Sequence, residues 1–201
     1  LCRIFELAKK HEILFIADEC AVGFYRTGTR FACDAAAIKP DILILGKALT
    51  GGFMTLAATL TSEKIFEKFL GNSLESALMH GPTFMGNALA CSAANASLDL
   101  FEKIDYAKKV KADEKFLRSQ LLKCRKLENV KDVRAIGLIG VVELNFPAEN
   151  MRQKIIELRQ KFIAAGFFLR PFENCIYLMP ALNIKKSDLK KITDIIYQIL
   201  S

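Results

Sequence analysis

"ILILGKALTGG" spans Ile42–Gly52: four apolar residues, a glycine, a lysine, and two further glycines at 51 and 52. A continuous branched apolar run that stops at glycine reads as a strand buried on both faces. A lysine set directly behind such a strand needs a reason, and holding a phosphate and forming a covalent bond are the two to weigh. A phosphate-binding P-loop requires G-x-x-x-x-G-K-[ST]. Counting back from Gly46, the first glycine position is Asp41, and Lys47 is followed by Ala48. Both requirements fail, so a nucleoside-triphosphate site is rejected.

The segments around that stretch alternate strand with helix. A helix over residues 1–11 leads to ILFIAD (13–18), the glycine-rich loop GFYRTGTRF (23–31), and a short helical piece, CDAAAI (33–38). After the lysine loop come the strand TLAATLTS (55–62), the helix SEKIFEKFL (62–70), and the loop HGPTFMGN (80–87). That loop opens a helix of small residues over 88–102. Apolar strands separated by helices predict an α/β sheet covered on both faces and largely parallel. Beyond residue 104 the pattern changes. A long helix (105–127), a strand pair in VRAIGLIGVVELN, a helix (149–165), strands in FFLRPF and CIYLMPAL, and a closing helix predict a small α+β domain at 105–201.

Composition excludes several classes. Hydrophobic residues are 52% and charged residues 25% of the 201, as in a globular protein. No apolar run approaches the roughly 18 residues that span a membrane, and no signal-peptide pattern opens the chain. The net charge of +7 is spread along helices where acids alternate with lysines, which predicts solvated helix faces and no nucleic-acid partner. Six cysteines show no zinc-like spacing and there are two histidines, so no metal site is expected, and the cytoplasm is the expected compartment. His80 is read as a loop hydrogen-bonder, and Glu19 and Arg26 as charges that fix their loop. The chain opens at Leu1 inside a helical pattern and reads as a piece of a longer protein.

Three positions carry chemistry. In open α/β sheets, ligands bind beyond the carboxyl ends of the strands, where ILFIAD ends in Asp18 and ILILG leads into Lys47. An ion pair capping two strand ends is the plain reading. The glycines at 46, 51 and 52 favour a ligand, because they let the backbone approach it closely. A lysine desolvated at such a crevice is a Schiff-base former. Its matching cofactor is pyridoxal 5′-phosphate, whose ring nitrogen needs a carboxylate such as Asp18. HGPTFMGN, just before a helix N-terminus, offers a phosphate site.

The stretches ADECAVGFYRTG, KPDILILGKALTGG, HGPTFMGNALAC and LRPFENCIYLMP resemble, in order and spacing, the class-III pyridoxal-phosphate aminotransferases of fold type I. The resemblance covers nearly the whole chain and corresponds to about the C-terminal half of such an enzyme. It implies part of a large, mostly parallel-sheet cofactor domain over 1–104 and the small domain after it. It implies Lys47 as the lysine that holds the cofactor and moves the proton, and Asp18 as the acid on the pyridine nitrogen. Pro82 and Thr83 match the segment that reaches the cofactor phosphate of the neighbouring subunit in a homodimer. Gly81 matches a lining position of the substrate pocket, and Arg170 the arginine that takes the substrate carboxylate. Details of the lysine loop and the proline of GPTF match the biotin-pathway branch, which moves an amino group from S-adenosylmethionine to 8-amino-7-oxononanoate. Another ω-amino acid aminotransferase of the class, or a non-catalytic remnant lacking the rest of the site, are the alternatives. Val22, Tyr25 and Ala88 depart from the usual pattern, which has a hydroxyl residue, glycine and proline at those places.

Overall fold

A computed structural model describes the backbone of residues 1–201 and every side chain except that of Ala148. The chain divides into two compact units, Leu1–Tyr25 with Thr29–Asp105, and Arg26–Gly28 with Tyr106–Ser201. Among the described residues no helix is long and apolar enough to cross a membrane.

The first unit holds α1 (Cys2–Lys10), β1 (Ile16–Asp18), α2 (Ala32–Ala35), β2 (Ile42–Leu45), β3 (Ala58–Thr61), α3 (Glu63–Phe66) and α4 (Ala88–Lys103). Its sheet runs β1-β2-β3, with β1 and β2 parallel and β3 antiparallel to β2. The expected largely parallel sheet is therefore half realised. Between Leu45 and Ala58 the chain makes only a 3-10 turn at Lys47–Thr50, and a return without a crossover helix reverses the strand. Nor do these residues cover the sheet on both faces: Ile16 is 56% exposed and Leu60 46%. The core gathers where β2 and the lysine loop meet α4, around Phe24, Leu45, Leu49 and Ala94. Phe24 stacks on Phe101 (ring centroids 5.3 Å) and meets Phe31 edge-on at 5.6 Å.

The second unit comprises α5 (Tyr106–Leu121), β4 (Val130–Ile136), β5 (Ile139–Leu144), α6 (Met151–Ala164), β6 (Cys175–Leu178) and α7 (Lys186–Leu200). Its sheet is antiparallel throughout, in the order β4-β5-β6. The helices bury single stripes: Val110, Asp113, Leu117 and Leu121 on α5, and Leu189, Thr193, Ile196 and Leu200 on α7. FFLRPF is not a strand. Only Phe172 bridges, to Cys175, because Pro171 has no N–H to give a ladder and the chain turns back at once.

Gly137 fixes the β4–β5 turn against Arg26–Gly28. Its φ is +53°, and a Cβ there would lie 2.2 Å from the Arg26 carbonyl oxygen, while the next amide, Leu138, donates to that same oxygen at 3.0 Å. The obstacle is backbone, which cannot swing aside. Gly137→Ala is expected to lower the unfolding free energy by about 2–3 kcal/mol, read from the urea midpoint. An unchanged midpoint would show that the turn has room for a methyl group after all.

Candidate active site

Parallel pairing sets the site. Ile16, Ala17 and Asp18 lie opposite Ile42, Leu43 and Ile44, and the Glu19 amide extends the ladder to the Ile44 carbonyl at 2.9 Å. Asp18 and the loop that leaves Leu45 thus emerge from the same edge of the sheet. The Asp18 side chain is exposed, and its Oδ1 accepts from the Cys20 N–H at 2.9 Å. That bond, with the Cys20 thiol and the charge of Lys47, holds the carboxyl below its ordinary pKa, so Asp18 is an anion at neutral pH.

Lys47 comes after an extended Gly46 and has φ +45°, the left-handed region that a side chain with a Cβ avoids. Gly46 is closely approached: a Cβ there would sit 3.1 Å from the Cys20 sulfur, tighter than an ordinary contact. Behind the lysine, the Leu49 amide donates to the Gly46 carbonyl (3.0 Å) and the Thr50 hydroxyl to the Met54 carbonyl (2.6 Å). Ser97 of α4 donates to the Ala48 carbonyl at 3.1 Å. The loop is tied at three points while the Lys47 side chain stays exposed. Among the described residues Lys47 is one of six non-glycine residues with positive φ, and a strained residue on a fixed loop is a feature of functional positions. Ser97 is not singled out by the sequence; its only signal there is a hydroxyl among alanines, one helical stripe along from Ala90 and Ala94.

Glu19, beside Asp18, is 2% exposed. Its two carboxylate oxygens accept from the Ala32 and Cys33 amides at 2.9 and 2.8 Å, so it caps α2 and closes the loop. Arg26 donates instead to the Pro180 carbonyl at 2.5 Å. Both charges fix loops, though not through each other. The Cys20 thiol is pushed up by burial and by the neighbouring Asp18, which does not suit a nucleophile.

Gly81, Pro82 and Thr83 lie together on an exposed loop of the first unit, where the Met85 amide closes a turn onto the Pro82 carbonyl at 2.9 Å. The N-terminus of α4 is less open than expected: Asn87 Oδ1 accepts from the Leu89 and Ala90 amides at 3.0 and 3.1 Å. An anion held here would therefore rest on Gly81–Thr83 rather than on those two helix amides. Arg170 belongs to the second unit, exposed, on the wall of a cavity shared with Pro171, Phe172 and Tyr177. An ionised carboxylate and an exposed amine leaving neighbouring parallel strands suit a cofactor with a protonatable ring nitrogen and a reactive carbonyl carbon.

Comparison with known proteins agrees with that chemistry. The family model "Aminotransferase class-III" matches residues 1–200. Over 196 residues the chain is 44% identical to the adenosylmethionine-8-amino-7-oxononanoate aminotransferase of Buchnera aphidicola subsp. Schizaphis graminum, covering 98% of this chain and 44% of that protein. The crystal structure of the enzyme of the same name from Methanocaldococcus jannaschii superposes with a TM-score of 0.91 at 38% identity, over 99% of this chain and 48% of that one. An amine transaminase from an uncultivated Pseudomonas species, solved in a PLP-bound form, gives 0.89 at 28% identity, over 98% and 46%. The chain thus spans less than half the length of these relatives.

Removing the Glu19 carboxylate would leave two amides without an acceptor beside Asp18. Glu19→Ala should destabilise the first unit by about 2–3 kcal/mol, measured as a shift in the denaturant midpoint. A native midpoint would mean that water replaces the carboxylate without loss.

Proposed function

The chain belongs to the class-III aminotransferases, and from that premise we propose that it is part of an enzyme that moves an amino group from S-adenosylmethionine to 8-amino-7-oxononanoate. The product would be 7,8-diaminononanoate, in biotin biosynthesis. One observation carries the reading: an exposed, left-handed lysine and an ionised aspartate leave adjacent parallel strand ends. The substrates are inferred from the names of the relatives, 44% identical from Buchnera and 39% from Methanocaldococcus jannaschii.

Pyridoxal 5′-phosphate, when bound, supplies an electron sink that stabilises the carbanion left on the amine-bearing carbon. Lys47 Nζ would be the covalent anchor for it and the group that holds the proton exchanged at that carbon. Asp18 would hold the ring nitrogen through its carboxylate. Pro82 and Thr83 would hold the phosphate of the neighbouring subunit's cofactor, and Gly81 would line the pocket. Arg170 takes the substrate carboxylate with the paired N–H groups of its guanidinium. Six free cysteines suit a reducing compartment and support a cytoplasmic location.

The unit is proposed as a homodimer. Leu74, Met79 and Phe84 are 83%, 82% and 81% exposed on the segment that carries Thr83, and large apolar side chains left open along one segment support burial against a partner. Mixing Lys47→Ala with Thr83→Ala subunits is expected to restore activity above either variant alone, through one intact site per mixed dimer. No recovery despite proven subunit exchange would place the phosphate contacts within one chain.

The direct test is borohydride reduction of the cofactor-loaded enzyme, then peptide mapping. The pyridoxyl mass should fall on the peptide that contains Lys47, and mass spectrometry should find 7,8-diaminononanoate formed from the two substrates. Label on another lysine removes Lys47 from its role. A labelled Lys47 with no such product, but turnover of another ω-amino acid, moves the enzyme elsewhere in the family.

A further inference from the structure

Arg170, Pro171, Phe172 and Tyr177 line a cavity of about 420 Å³. Arg170 stands on irregular backbone, so something beyond a strand ladder must hold it. Phe172 and Cys175 exchange both backbone hydrogen bonds, each 2.9 Å, and close a two-residue turn at Glu173–Asn174. Glu173 has φ +50°, a conformation its side chain disfavours, so local preference does not maintain the turn.

The support comes from β5. The Asn174 carbonyl accepts from the Leu144 amide at 2.7 Å, and Asn174 Nδ2 reaches both Glu143 Oε1 and the Leu144 carbonyl at 3.4 Å. Glu143 is itself fixed, with Lys131 Nζ 2.7 Å from Oε1 and Arg134 Nη1 2.6 Å from Oε2. Those bonds draw its pKa down to about 2, and it stays a carboxylate at neutral pH. Glu143 also lies opposite Cys175 across the β5–β6 ladder, on the strand that flanks Tyr177.

We infer that Glu143 is a positioning residue for the substrate carboxylate: with Asn174 it fixes the turn that sets Arg170 on the cavity wall. The inference rests on Arg170 being the group that takes that carboxylate. In the cofactor-loaded enzyme, Glu143→Ala should raise the KM for a carboxylate substrate about tenfold, the size of a typical coupling within one hydrogen-bonded network, with kcat held within about twofold. Glu143→Gln, which keeps an acceptor for Asn174, should recover most of the loss. In an Arg170→Ala background, Glu143→Ala should add nothing further, because the group it positions is gone. Asn174→Ala removes the turn-side partner alone and should reproduce the KM effect, which keeps the test available if Glu143→Ala does not fold. A Glu143 or Asn174 effect that adds in full to that of Arg170→Ala, or that falls on kcat, overturns the inference. An Arg170→Ala enzyme with native KM values would instead overturn the role of Arg170, and this inference with it.

Discussion

The parallel pairing of Ile16–Asp18 with Ile42–Leu45 is the constraint on which the site depends. Parallel strands share a direction, so their carboxyl ends share an edge, and residues far apart in sequence emerge there as neighbours. A single-residue slip would turn Asp18 to the opposite face. The register is reinforced one residue past the paired strands, by the Glu19 amide on the Ile44 carbonyl. The lysine loop at the end of β2 is in turn held to α4 through Ser97 and the core around Leu49 and Ala94. Acid and amine are both exposed, yet neither rests on a free loop.

The second unit solves a different problem. Its antiparallel sheet and the stripes of α5 and α7 make a mostly apolar core, in which the buried carboxylate of Asp113 is paired with Lys109, and the Lys131–Glu143–Arg134 group lies on the outer side of that sheet. Both cations are more than half exposed, and pairs of that kind add little to stability. Their effect is to fix one carboxylate with little freedom to rotate, and a fixed carboxylate defines where Asn174 sits. The charges specify geometry more than they stabilise the fold.

Strand and helix identity were legible in the sequence wherever a period or a breaker ruled. β2, the lysine loop, α4 and the closing helix fall where the residues put them, and Asp18 and Lys47 meet at one edge as their strands imply. What escaped depends on partners that no local pattern encodes. The direction of β3 is set by the lack of a crossover helix, which only the path of the chain reveals. FFLRPF has strand composition, but Pro171 leaves it without a ladder. Asn87 takes the helix amides that the loop before α4 offers to a phosphate. Arg26–Gly28 sits in a loop of the first unit by sequence but packs with the second, because Gly137 and Leu138 have backbone groups that meet it.

The departure at Tyr25 has a structural account. Phe24 and Tyr25 have φ of +54° and +68°, two consecutive left-handed residues with a Cβ. Glycine adopts that conformation without penalty, which explains its frequency at position 25 in this pattern, whereas a bulky side chain costs about 1–2 kcal/mol there. Phe24 offsets its share by burial, at 1% exposure and stacked on Phe101. Tyr25 gains less but not nothing, since its ring lies 5.8 Å from the same Phe101 and its amide donates to the Arg30 carbonyl at 3.2 Å. The strain sits in the loop between Asp18 and Arg26. The packing of Phe24 and Tyr25 on Phe101 offsets it, so a tyrosine here exchanges conformational freedom for aromatic contact.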